Sequence, residues 1–258
     1  MPLFAYLQQV QRFLEYDERQ AIFNPADLTV FINEARGQIA LSSQCIRQPA
    51  QLIANLGQNS YNFSDATFVD GPDILPGLQS VINIRQARLV LPTGGQRRLS
   101  MRSWEWFDTY HLSRTIPEQD NPPNPGGAPR VAARLQPGLT GTLWIAPTPD
   151  DFAPYTLNLD AVGYPAPLVY SNGDADPEAL PYPWTDAVPM LAAHLAYIAE
   201  GNAEASAMWW NEYTMFERRA VQGTTPTRFV GNYPGGSGAH LVSQQMPLTA
   251  QMPQVPRR

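Results

Sequence analysis

The sequence predicts an α+β chain in which N-terminal and C-terminal helices form an α-helical bundle, with a β-rich insertion and an extended C-terminal tail. Three observations predict it. Apolar residues recur at helical spacing near both ends, as Leu3, Leu7, Val10 and Leu14 do first and Leu191, His194, Leu195 and Ile198 do later. Between Gln51 and Tyr170, short alternating or apolar runs are punctuated by Gly and Pro. From Gly223 onward there are five glycines, five prolines and no acid, a composition that cannot bury enough apolar surface for its own core. The implied division is 1–50 for the N-terminal helices, 51–180 for the β-rich module, 181–222 for the C-terminal helices and 223–258 for the tail.

Taken in order, the first helix runs from Leu3 to Tyr16. The second begins with Asn24 as N-cap, Pro25 at the first helical position and Asp27 against the positive end of the dipole. Leu28, Phe31, Ile32, Ala35 and Ile39 form its apolar stripe, which ends near Ile46, before Pro49. Val81–Ile84 reads as a strand. Ala87–Leu91 and Arg97–Met101 flank Pro92-Thr93-Gly94-Gly95 as a hairpin. Ser103 caps a short aromatic helix reaching His111, and Asn121–Gly127 (NPPNPGG) is a loop. Thr140–Ala146 and Tyr155–Leu159 pair as a second hairpin through Pro147–Asp151. Thr185 caps a helix from Asp186, with Pro189 in its first turn. Gly201 ends that helix, and Asn202 caps the last one, which reaches about Val221. Fifteen of the 26 prolines fall between Pro117 and Pro189, marking turns and leaving the long helices uninterrupted.

Composition narrows the function classes. All 17 basic residues are arginine, so Schiff-base, P-loop and pyridoxal-lysine chemistry is excluded. Charged residues make up 16%, against a typical ~25%. No run approaches the ~18 apolar residues of a membrane span, and the N-terminal residues show no signal-peptide pattern. One cysteine, Cys45, allows neither an internal disulfide nor a cysteine metal cluster. The expectation is a chain that folds in a cytosol. The net charge of −6 hides a strong asymmetry: residues 135–217 carry eleven carboxylates and no arginine, whereas residues 85–134 hold eight arginines and four acids. Such segregation suggests surfaces facing different neighbours; the alternative is that folding intermixes the signs.

Catalytic chemistry finds little support, and no catalytic, cofactor-binding or metal residue is assigned. His111, His194 and His240 lack metal-spaced partners. Cys45 has only Arg47 nearby as a basic neighbour and reads as a structural thiol. Asp150-Asp151 lies in a turn, where aspartate bonds local backbone. Glu105 and Asp108, at i and i+3 on a short helix, share one side of it, whereas glycoside hydrolysis needs two carboxylates on opposite sides of the bond, a placement the sequence does not give. Gly235-Gly236-Ser237-Gly238 lacks the lysine of a phosphate loop. Arg97, Arg98 and Arg102 form a small basic group, but a pI near 5.0 argues against a DNA-binding domain.

The order of parts resembles the head-to-tail adaptor (connector) proteins of tailed bacteriophages. Asp27-Leu28 through Phe31-Ile32-Asn33-Glu34-Ala35-Arg36-Gly37-Gln38-Ile39-Ala40 looks like their second helix. Thr142–Ala146 followed by Pro147-Thr148-Pro149-Asp150 is similar to their strand ending in a Pro-x-Pro turn, and Tyr155–Leu159 to the return strand. Leu180-Pro181 with Trp184–Val188 resembles the start of the penultimate helix, and Ala207–Tyr213 with Phe216 the last one. The resemblance covers about residues 10–222. The NPPNPGG loop and the length of the tail depart from it.

The resemblance implies a structural protein of the virion neck, made in the host bacterial cytoplasm, without enzymatic activity, cofactor or membrane contact. Its partners would be the portal protein above, a tail or nozzle protein below, and its own copies in a ring, commonly of twelve, through which genomic DNA passes without specific binding. A free monomer that assembles on its template is expected. The tail would dock on the portal through Arg228, Phe229, Tyr233 and Leu241. The hairpin tips Pro92–Gln96 and Pro147–Asp151 would face tail components. The carboxylates of the acidic span, Asp174, Asp176 and Glu178 among them, would line the channel or meet arginines such as Arg97 and Arg98 of the next subunit. The competing classes are a virion-borne cell-wall hydrolase using Glu105 and Asp108, and a different tail-completion or tail-tube protein.

Overall fold

The protein is seen in a computed structural model that describes residues 2–15, 22–69, 76–91, 94–112, 127–136, 138–150 and 154–224. The first helix, α1 (Leu3–Phe13), buries Leu3, Tyr6, Leu7 and Val10, and Leu14 continues the stripe. α2 (Pro25–Ser43) starts as its sequence dictates: the Asn24 side chain accepts from Asp27 N at 2.9 Å, and Asp27 accepts in return from Asn24 N at 3.3 Å. It ends three residues before Ile46, because Gln44 turns left-handed with φ 51°.

The chain then enters a strand that the sequence reading missed, β1 (Arg47–Ala54), whose side chains alternate between exposure and burial. Pro49 stands inside it. The Pro49 carbonyl accepts from Val69 N, so the face lacking an N–H is turned towards β3 (Thr67–Phe68), a strand only two residues long. The remaining strands are β2 (Ser60–Asn62), β4 (Leu78–Val90), β5 (Gln96–Arg98), β6 (Ser100–Arg102), β7 (Val131–Leu135), β8 (Thr142–Ala146) and β9 (Tyr155–Pro165). They form a five-stranded sheet, β3-β1-β9-β4-β5, and a four-stranded one, β2-β8-β7-β6, in which β6 and β7 run parallel.

Several expectations change here. Val81–Ile84 and Ala87–Leu91 belong largely to one 13-residue strand, β4, which absorbs three register shifts against β9. The hairpin across Gly94-Gly95 forms, with Leu89 opposite Arg97. Its return arm divides at the buried Leu99, β5 staying in the first sheet and β6 joining the second. Thr142–Ala146 and Tyr155–Leu159 do not pair: β8 lies between β2 and β7, and β9 between β1 and β4. β8 buries Leu143 and Ile145, and β9 buries Leu157 and Leu159, into the space between the sheets, which facing sheets satisfy and a single hairpin does not.

A short helix, α3 (Trp104–Phe107), begins at Ser103, whose hydroxyl accepts from Trp106 N, and widens into a π-helical turn reaching Leu112. α4 (Trp184–Glu200) starts before Thr185, with no side-chain cap, because Trp184 and Thr185 are both buried. Pro189 therefore lies inside the helix rather than in its first turn. Gly201, at φ 85°, ends α4, and the Asn202 side chain accepts from Ala205 N to start α5 (Ala203–Thr224).

The α+β class holds, but a helical bundle interrupted by a β module is not what forms. The helices do not dominate: among the described residues nine strands make two sheets, and α2 packs on β9 as well as on α1 and α4. Ile46, Leu168, Ala179 and Leu180 share a core with residues of α1, α2, α4 and α5. A helix stripe buries its apolar area against a sheet or a loop as readily as against another helix, so periodicity alone does not select a bundle. A second core fills the space between the sheets, and a small third one gathers Phe107, Ala133 and Ala146.

Candidate functional site

The predicted acidic residues separate into different environments. Glu178 is turned inward. Its carboxylate takes Nε and Nη2 of Arg36 at 3.0–3.2 Å and the Tyr6 hydroxyl at 2.7 Å, and the two charged side chains are 7% and 1% exposed. A carboxylate consumed this way neither lines a channel nor meets a neighbour, so Glu178 leaves the set of interface residues. Asp174 accepts from Phe4 N at 2.9 Å and satisfies an orphan donor at the start of α1, which has no cap of its own. Asp176 accepts from the Asn172 amide and from Val169 N, and these bonds hold its carboxyl below the usual carboxylate range. Asp174 remains exposed and Asp176 half-exposed.

The predicted arginines also part company. Arg97 points its guanidinium into the Ala128 and Pro129 carbonyls, at 3.1 and 2.8 Å, and bridges β5 to the segment before β7. Arg98 is exposed on the outer face of the five-stranded sheet, directly opposite Arg88 of β4. Strand register lines up Gln51, Asn158, Arg88 and Arg98 across β1, β9, β4 and β5. Arg47 pairs with Asp160 on the same face. A depression of about 610 Å³ opens there, lined among others by Arg47, Gln86, Arg88, Gln96, Asn158 and Asp160. Sequence reasoning missed this row. Its signal was the alternation of Thr156, Asn158 and Asp160 with Leu157, Leu159 and Ala161, which marks one wet face of β9.

A second depression, of about 660 Å³, is lined by Ser42, Ser43, Gln44, Asn83, Arg85 and Arg134. Arg134 donates to Asn83 Oδ1 at 2.9 Å, and Asn83 donates to Gln44 Oε1 at 3.1 Å, tying the end of α2 to both sheets. Glu105 lies on the exposed side of α3, and neither it nor Asp108 lines a described depression. His194 shares a hydrogen bond with the Ser206 hydroxyl at 3.0 Å and rests against Trp210, an interhelical role. Burial pushes the Cys45 thiol up to about 11, which leaves little thiolate at neutral pH. Among the described residues no group of three or more His, Cys, Asp or Glu is placed to hold a metal ion, and no helix is long and apolar enough to cross a membrane. Arg228, Phe229, Tyr233 and Leu241 lie outside the described residues, as does the NPPNPGG loop up to Pro125 and Gly126.

No family model and no curated protein matches this sequence.

The α4–α5 side contrasts with the sheet. No basic residue occurs on these helices before Arg218. Glu200, Glu204 and Glu212 are exposed and have no ion-pair partner among the described residues. Of the carboxylates in the acidic span, Asp160 and Glu178 are held in ion pairs with arginines. Folding therefore intermixes the signs in part, leaving exposed carboxylates on α4 and α5 and exposed arginines on the outer face of the sheet.

Proposed function

We propose that this chain is a structural protein of a bacteriophage neck, a head-to-tail adaptor that sits as a ring under the portal, extends the DNA channel and carries the tail. The observation that carries the reading is the incomplete neutralisation just described. A protein that keeps exposed charges of both signs is suited to contacts with several different neighbours at once. The order of sequence motifs from α2 through α5 supports the same reading.

In this reading Asp174 and Asp176 are the carboxylates facing passing DNA, whose phosphates they repel, so the genome slides without adhering. Segment 223–258 docks on the portal with Arg228, Phe229, Tyr233 and Leu241 as anchors. A tail or nozzle protein binds the opposite side. No cofactor or catalytic residue is required. The protein works in the virion after synthesis in the bacterial cytoplasm.

The test is to mix the purified chain with portal rings and image the product. Rings gaining an added layer are the expected outcome, and bare portals sink the reading. Repeating the mixture with residues 223–258 deleted tests the docking segment: undiminished binding removes it from the portal contact.

A further inference from the structure

We propose that the outer face of the five-stranded sheet docks the α4–α5 hairpin of a second copy of this chain. Arg88 and Arg98 stand in direct register on neighbouring strands, and neither has a carboxylate partner among the described residues. Like charges directly opposite are destabilising, and a carboxylate arriving from outside relieves the repulsion. Arginine's planar fork suits that encounter, because it takes a carboxylate through two parallel hydrogen bonds. On the same face, Ile53 of β1, two strands from Arg88, is 47% exposed, adding an apolar contact.

α5 supplies a matching surface. Glu204, Met208, Glu212 and Met215 follow one another at spacings of four, four and three, so they lie along one side of the helix. All four are exposed, the methionines at 52% and 46%. Acid and thioether thus alternate on α5, while guanidinium and aliphatic groups share one face of the sheet. Methionine adapts to an irregular partner at small conformational cost. A nucleic-acid backbone would satisfy the arginines and leave the glutamate–methionine stripe unused. A second copy satisfies both faces together. Because the two faces are different surfaces of one chain, the contact is head-to-tail: it repeats from copy to copy and closes only when the rotation allows. The inference gives the ring reading its contact surfaces and rests on that reading only for closure.

The test uses the full-length chain without portal, and the association it looks for departs from the free monomer that the family resemblance implies. Sedimentation velocity at low ionic strength and rising concentration is expected to show association that added salt weakens. The neutral pair Arg88→Ser/Arg98→Ser and the pair Glu204→Gln/Glu212→Gln should each weaken it by about tenfold or more. All four side chains are exposed, and unchanged thermal unfolding checks that the variants fold. Mixing the two variants leaves one native contact per pair of molecules, so assembly should stop at dimers. A chain that stays monomeric at low salt overturns the proposal, as do variants that associate like the parent. So does an arginine variant that loses only its binding to a duplex DNA oligonucleotide. Failure to bind portal rings sinks the adaptor reading and leaves this contact standing.

Discussion

Arg36 of α2 and Glu178, 142 residues apart in the chain, meet through Nη2 and Oε1 at 3.0 Å in a site closed to solvent. Around them Arg36 also donates to the Ala166 carbonyl at 2.8 Å, and Asn33 exchanges two 2.8 Å bonds with the Leu168 backbone. Tyr6 of α1 completes the site. The network pins the irregular segment after β9 onto both N-terminal helices. Glu178→Gln leaves a guanidinium buried without its counter-charge and should cost about 3–5 kcal/mol, read from urea unfolding. The double variant Arg36→Met/Glu178→Leu should cost less than the sum of its single changes.

Alkaline pH should loosen the fold. The Tyr6 hydroxyl is raised well above its ordinary value of 10.0 by burial and then by Glu178, and burial lifts Cys45 from 9.0 to about 11. Both groups are neutral when folded and ionise more easily when unfolded. The stability they contribute is complete below the unfolded values and is lost as pH rises towards the folded ones. The denaturant midpoint should therefore fall between pH 9.0 and about 11. Cys45→Ala should flatten the decline across that window, and Tyr6→Phe should flatten it above 10.0.

Asp174 acts as a remote cap for α1. Asp174→Ala should lower stability by about 1 kcal/mol, whereas Asp174→Asn, which keeps an acceptor for Phe4 N, should cost less. Near-ultraviolet dichroism against denaturant measures the difference. Because the carboxylate is also exposed, the same pair of variants separates its structural role from its effect on DNA passage.

Two glycines should respond to different degrees. A side chain at Gly141 would collide with the Phe63 ring and the Gln136 carbonyl, and backbone cannot step aside cheaply, so Gly141→Ala should cost about 1–3 kcal/mol. Gly201 faces open space and is constrained only by its φ of 85°. Gly201→Asn, which tolerates that conformation, should be much milder in thermal unfolding.

Local features were legible in advance. Asn24 with Asp27, Ser103, Gly201 and Asn202 mark helix ends, because each acts on backbone groups within a few residues. The hairpin at Gly94-Gly95 was legible for the same reason. β1 was not: Pro49 reads as a stop, and only the shortness of β3 explains why it is tolerated there. The separation of β8 from β9 was equally hidden, since two adjacent apolar strands give no sign of which sheet each will join.

The charge asymmetry belongs to the sequence by itself, for counting residues needs no coordinates. So do the absence of lysine and the α+β class. Which charges remain available was decided by tertiary structure alone. Folding buried Glu178 against Arg36, spent Arg97 on two carbonyls and turned Asp174 to a helix end, while strand register set Arg88 beside Arg98 in the open. The physical reason is range: capping and turn geometry act within a few residues, whereas the environment of a charge depends on partners brought together from across the chain.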